Sequence, residues 1–214
     1  MFDDSSRFLR KLSPDGKFAL IDYLGNRVRN VRFFSYGSNM NKNKFKEDMK
    51  QAAKKLKLPL KDESKLCLDP STIKRELLHF RRELSNESLR GRAFSIYPSM
   101  NDKVEGICHN IDFSVLPAFL RKEGLLLPSI PTYKLIRVCV LEEENEVLTL
   151  MGLKPKPITY LNQEKIETTL EYVSKSIAGA EEFDVAHEDM TEIKTRLIEM
   201  KEQKRVYTDT FKGV

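Results

Sequence analysis

One short run constrains this chain more than any other: Phe34-Ser35-Tyr36-Gly37-Ser38-Asn39-Met40. Ahead of it, Val31 to Ser35 carries the β-branched and aromatic residues of a buried strand. Behind it, Asn41 is placed to cap a helix running to about Lys57, which Pro59 stops. A strand that passes into a helix through Gly-Ser-Asn leaves several backbone N–H groups convergent at the helix start. Gly37 permits a left-handed or otherwise strained turn and a close approach by a ligand. Such a nest suits a carboxylate or a developing oxyanion. The same residues also fit an ordinary strand-to-helix turn with an Asx cap, which local physics alone favours.

Strands dominate the middle of the chain, and helices its end. Arg75 to Arg82 reads as a mixed strand and Gly91 to Ile96 as another, with an Asn101-Asp102 hairpin turn before Val104 to Ile111. Ser114 begins a helix with Pro117 in its first turn and Gly124 at its end. Tyr133 to Glu142 alternates apolar and polar residues, and Glu146 to Met151 pairs back through an Asn145 turn. His187 to Arg205 is helical, with Met190, Ile193, Leu197 and Met200 forming a narrow apolar stripe. Residues 1–30 hold turns at Ser13-Pro14-Asp15-Gly16 and near Gly25-Asn26, and read as an extension.

Composition excludes several classes of function. The 214 residues allow one sizeable core or two small ones, and no stretch approaches the roughly 20 apolar residues of a membrane span. The acidic start, Met1-Phe2-Asp3-Asp4-Ser5-Ser6, lacks an apolar signal core, so a cytoplasmic location is expected. Cys67, Cys108 and Cys139 form no CxxC pair, and His79, His109 and His187 lack ligand spacing, so no metal site is expected. Cys108 and Cys139 lie in apolar strand-like runs, where a free thiol behaves as a small core residue. Nine lysines against four acids between Lys42 and Lys65 account for the whole net charge of +5. That segment has no arginine and only Phe45 as an aromatic, which provides poorly for stacking on bases. A solvated helix face is the simpler reading, and no nucleic-acid partner is expected.

Tyr36-Gly37-Ser38-Asn39 resembles the signature turn of the γ-glutamylcyclotransferase-like family. The order of later motifs strengthens the likeness. Gly91-Arg92-Ala93-Phe94-Ser95-Ile96-Tyr97-Pro98-Ser99 and Val104-Glu105-Gly106-Ile107 resemble the family's paired strands. Glu123-Gly124 falls where the family places its catalytic glutamate, and Tyr133 and Tyr160 resemble its pocket tyrosines. A glutamate between Lys122 and Gly124 at a helix end is otherwise an ordinary solvated charge, so the resemblance is what singles out Glu123. The likeness covers about residues 31 to 160. Departures are Leu120, where the family often has an aspartate, Thr149, where it has a further tyrosine, and a Leu125–Pro131 segment that is longer than usual.

The resemblance implies an α+β fold, a small mixed-strand β-barrel with peripheral helices, over residues 31–180. An extension (1–30) would precede it, and a C-terminal helix (181–214) would pack on it or extend from it. It further implies an enzyme that needs no cofactor and acts on a small γ-glutamyl compound, with the oligomeric state open to a homodimer. The substrate's α-amine would attack its own γ-carbonyl and release 5-oxoproline. Glu123 would be catalytic, and Ser35, Tyr36, Gly37, Ser38, Asn39, Tyr133 and Tyr160 would bind substrate. The alternative is a non-catalytic binding or regulatory protein of the same fold, using the basic 42–65 segment or the C-terminal helix.

Overall fold

The computed structural model describes residues 30–58, 62–88, 91–125, 133–141, 146–152 and 161–211. Its elements, in order, are β1 (Asn30–Ser35), α1 (Lys42–Lys55), β2 (Lys74–Leu78), β3 (Phe80–Ser88), β4 (Gly91–Pro98), β5 (Val104–Asp112), α2 (Leu116–Lys122), β6 (Tyr133–Cys139), β7 (Glu146–Gly152), α3 (Gln163–Glu182) and α4 (Glu188–Phe211). The class is α+β. Residues 1–29, Pro59, the Asn145 turn, residues 126–131 and Tyr160, each of which the sequence singled out, lie outside the described residues. No helix among the described residues is long and apolar enough to cross a membrane.

Five strands form one sheet in the order β2-β5-β1-β7-β6, with β1 antiparallel to β5 and parallel to β7. β3 and β4 make a separate two-stranded ribbon. Closure into a barrel is not confirmed: no ladder joins the outer edges of β2 and β6 among the described residues. One backbone hydrogen bond, from Leu141 N to Leu77 O at 3.0 Å, runs between them instead. The sheet is therefore curled but open.

Two expectations of pairing need correction. The Asn101-Asp102 turn does not close a hairpin; β4 pairs with β3, and β5 pairs with β1 and β2. The reason lies in β5 itself, a nearly continuous buried run that belongs in the middle of a sheet covered on both faces. The Arg75–Arg82 strand breaks at His79 into β2 and β3, which serve different sheets. Cys139 is also not a core residue: it is exposed on edge strand β6, whereas Cys108 is buried in β5.

Aromatic packing fixes the interior on both faces of β1. Phe33 meets Phe119 of α2 edge-on at 4.6 Å between ring centres, while Phe34 stacks on Tyr36 at 6.4 Å. Phe33, Phe34, Phe94 and Phe119 are fully buried, each contributing about 2–3 kcal/mol of apolar transfer free energy. Asn41 caps α1 as the sequence suggests, its side chain accepting from Lys44 N at 2.9 Å. α3, which the sequence did not single out, lies against β4 and the turn after β1. Gly179 makes this possible, because a Cβ there would stand 2.5 Å from Asn41 N and 2.7 Å from the Met40 carbonyl carbon. α4 buries Met190 and Leu197, half of its anticipated stripe, completely, and packs on α3.

Candidate active site

The Tyr36–Asn39 turn forms one wall of a cavity of about 790 Å³. β1 ends at Ser35, and a single 3-10 turn, Ser38–Met40, carries the chain into α1. Met40 N and Asn41 N close that turn on the carbonyls of Gly37 and Ser38. Gly37 is not left-handed: its φ is −143°, so the expected strained bend is absent. What requires glycine is space, since a Cβ would lie 2.9 Å from the hydroxyl of Tyr172.

Glu123 reaches the same turn from the far side. α2 ends at Lys122, and Glu123 and Gly124 (φ 75°) complete the helix end. Asn39 Nδ2 donates to Glu123 Oε1 at 2.9 Å across a sequence separation of 84 residues. Lys122 Nζ donates to the same Oε1 at 2.5 Å and also to Asn39 Oδ1. The two side chains are only 7% and 10% exposed, so this is a desolvated ion pair and not a surface one. Lys122 Nζ further stands over the rings of Phe45 and Phe119, at 5.4 and 5.7 Å from their centres. Both hydrogen bonds fall on Oε1. Oε2 takes none from the described residues, and Glu123 lines the cavity.

The remaining residues fall into two groups. Ser35, Tyr36, Gly37, Ser38, Asn39 and Tyr133 all line the cavity with Glu123. The hydroxyls of Tyr36 and Tyr133 are, however, already donated to protein carbonyls, to Leu150 O at 2.7 Å and to Phe94 O at 3.0 Å. Leu120 and Thr149, the two departures from the family pattern, are buried. Thr149 Oγ1 donates to Phe34 O at 2.9 Å, and neither residue lines the cavity.

Sequence reasoning missed Tyr172 and Lys122. Tyr172, on α3, lines the cavity and its hydroxyl accepts from Phe94 N at 3.2 Å. Two pocket tyrosines thus fasten to the two sides of one residue's backbone. The signal for α3 was present: Ile166, Leu170, Val173, Ile177 and Ala180 recur at helical spacing after Asn162, which caps the helix. Nothing in the sequence around Lys122 distinguishes it from a solvated lysine.

Burial sets the protonation of the lining. It holds the Tyr36 phenol well above its usual range, with Tyr133, Tyr172 and Glu123 adding to the effect. Burial likewise raises Tyr172, against the opposing hydrogen bonds from Phe94 and Ser38. Both therefore stay protonated and serve as polar walls, not as bases. His109, beside the cluster, has its Nε2 3.0 Å from Ser35 Oγ. Burial first, and the nearby Lys122 charge second, push its pKa down to about 3, so the ring is neutral.

No family model matches the chain, and no curated protein matches it in sequence. Among solved structures, it aligns with YkqA from Bacillus subtilis at a TM-score of 0.53 and 19% identity, over 78% of this chain and 54% of that one. The chain thus spans about half the length of YkqA. The chain shares the fold of YkqA over that span. At this identity the likeness concerns backbone architecture alone. A structure named gamma-glutamyl cyclotransferase aligns at a TM-score of 0.48 and 18% identity, over 77% of this chain and 86% of that one. An uncharacterized protein from Homo sapiens gives 0.48 and 20%, over 78% and 88%. Neither score adds to the case for fold or chemistry.

Proposed function

We propose that this chain is an enzyme of the γ-glutamylcyclotransferase type, releasing 5-oxoproline from a γ-glutamyl amino acid or γ-glutamylamine. The observation that carries the reading is the 2.9 Å contact between Asn39 and Glu123 inside one cavity. It joins the two motifs on which the sequence resemblance rests. One carboxylate oxygen is anchored and the other takes no hydrogen bond from the described residues, which leaves it available as a general base requires.

The substrate's α-amine arrives as an ammonium. Glu123 Oε2 takes one proton from it, and the freed lone pair attacks the γ-carbonyl carbon. The tetrahedral oxygen draws on backbone N–H groups of the Gly37–Asn39 turn. As the bond from this carbon to the leaving nitrogen breaks, Glu123 returns the proton to that nitrogen. The ring nitrogen then gives up its second proton, again through Glu123, so that the lactam is neutral and the amine leaves as an ammonium. Nucleophile and electrophile share one molecule, so folding the substrate into ring-closing geometry supplies much of the rate. The chemistry calls for no cofactor. A cytoplasmic setting agrees with the free state of Cys67, Cys108 and Cys139.

The alternative, a binding protein that uses the basic segment, gains nothing from the side chains there. Phe45 is buried, and Lys42, Lys44, Lys50 and Lys65 pair with Glu182, Asp48, Glu63 and Asp112. The test compares wild type with Glu123→Gln for 5-oxoproline release from a panel of γ-glutamyl dipeptides and γ-glutamylamines. Turnover by the wild type and its loss in the variant support the proposal. No turnover of any compound, or equal rates in both proteins, defeats it.

A further inference from the structure

The sequence places two opposite charges side by side at a helix end, Lys122 and Glu123, and the structure turns both into the same cavity. Adjacent residues ordinarily diverge. Here the ammonium of one bonds the carboxylate of the other and the amide of Asn39, closing a three-membered ring of contacts. That ring fixes which way the Asn39 amide points, since Nδ2 faces the carboxylate and Oδ1 faces the ammonium. It also leaves the site without net charge at its centre before substrate arrives.

Neutrality at that point has a chemical consequence. A lone carboxylate would hold an incoming α-ammonium as a stable ion pair and keep the proton on the nitrogen that must attack. A fixed cation on Oε1 stands a few ångströms from any cation brought onto Oε2, and in a desolvated setting two such charges repel strongly. The repulsion makes the substrate's ammonium more acidic. We propose that Lys122 is a positioning residue that acts through Glu123, offsetting the carboxylate's hold on the substrate's ammonium so that the amine is released as a free nucleophile. This rests on the cyclotransferase reading and assigns a role to a residue beyond it.

Other ionisable groups face the cluster from every side: His109 from β5, Tyr36 from the end of β1, Tyr133 from β6 and Tyr172 from α3. Arg92 of β4, Glu47 of α1 and the pairs Lys44–Asp48 and Lys175–Glu171 also line the cavity. His109 is already neutral, and burial keeps Tyr36 and Tyr172 protonated, so these three do not replace a charge lost at position 122.

The experiment measures kcat and KM against pH for the full chain, with the γ-glutamyl compound that the wild type turns over fastest. Lys122→Gln keeps a donor for Asn39 and removes the charge, while Lys122→Arg keeps the charge. The acid limb of the Lys122→Gln profile moves to higher pH by about one to two units, and kcat at neutral pH falls about tenfold while KM falls or holds. Lys122→Arg retains the wild-type limb. Superimposable profiles for wild type and Lys122→Gln overturn the proposal, as does an equal displacement in Lys122→Arg. If Lys122→Gln does not fold, Lys122→Met takes its place; failure of both to fold assigns Lys122 to structure and also overturns it. A wild type that releases no 5-oxoproline from any compound defeats the underlying reading as well, whereas unchanged profiles in an active enzyme defeat the Lys122 role alone.

Discussion

The charge clusters at Arg82 and at Glu123, each with a buried member, are built to opposite ends. Around Arg82 the charge is held by protein groups: its guanidinium donates to both oxygens of Asp189, at 2.8 and 3.0 Å, and to the carbonyl of Glu105 at 2.7 Å, with Nε buried and unbonded among the described residues. The Arg82 side chain is 1% exposed, and the pair ties the first turn of α4 to β3 and β5. Around Glu123, which lines a cavity, the bonding stops short, with both donors on one oxygen and none from the described residues on the other. A charge held by protein groups on two other elements acts as a fastener. One left half-bonded beside open space can exchange a proton with a visitor.

The comparison breaks most plainly at Glu123. Glu123→Gln retains the acceptor for Asn39 and Lys122 but cannot take a proton, so 5-oxoproline release is expected to fall at least about 10²-fold. Its melting temperature should fall as well, because the Lys122 ammonium loses its counter-charge. Asp189→Asn should cost stability alone. It leaves a buried guanidinium without its counter-charge, which costs about 2–4 kcal/mol of stability by denaturant titration, moderated by the half-exposed position of Asp189. Turnover per folded molecule should be unchanged. A large loss of turnover in Asp189→Asn would erase the distinction between the clusters.

His109 sharpens the contrast from a third position, a polar group next to the reactive cluster whose own chemistry is switched off. The unfolded imidazole takes a proton near pH 6.5 and the folded one only near 3. The folded state therefore binds fewer protons between those values, and stability is complete above about pH 6.5 and lost as pH falls toward 3. Between pH 7 and 5 the loss should reach about 2 kcal/mol, measured by urea titration. His109→Asn should flatten that slope. The smallest effect is expected from Gly37→Ala, where the new methyl group displaces the Tyr172 hydroxyl from Phe94 N at a cost of about 1 kcal/mol, read from the melting temperature.

How much of this was legible in the sequence depended on the range of the interaction. β1, the Asn41 cap, the Pro117–Gly124 helix and the β6–β7 pair each depend on local composition and turn chemistry, and they appear where the residues suggest. The partnering of β4 and β5 was misread because a turn sequence fixes a change of direction, not which sheet the next strand joins. Gly37 was recognised as necessary, but for a backbone angle; the structure needs it for the hydroxyl of a residue 135 positions later. Lys122 carried no signal at all, since its partner Asn39 is 83 residues away and only the fold brings them together.

The single amide of Leu141 that reaches Leu77 has a consequence for how such a protein changes over time. A closed ring of strands has a bore set by how many strands it contains. An open cuff, caught at one point, takes its width from the side chains inside it. Substitutions there can change the width of the cuff without unpicking a ladder, while the helix end that carries Glu123 stays as it is.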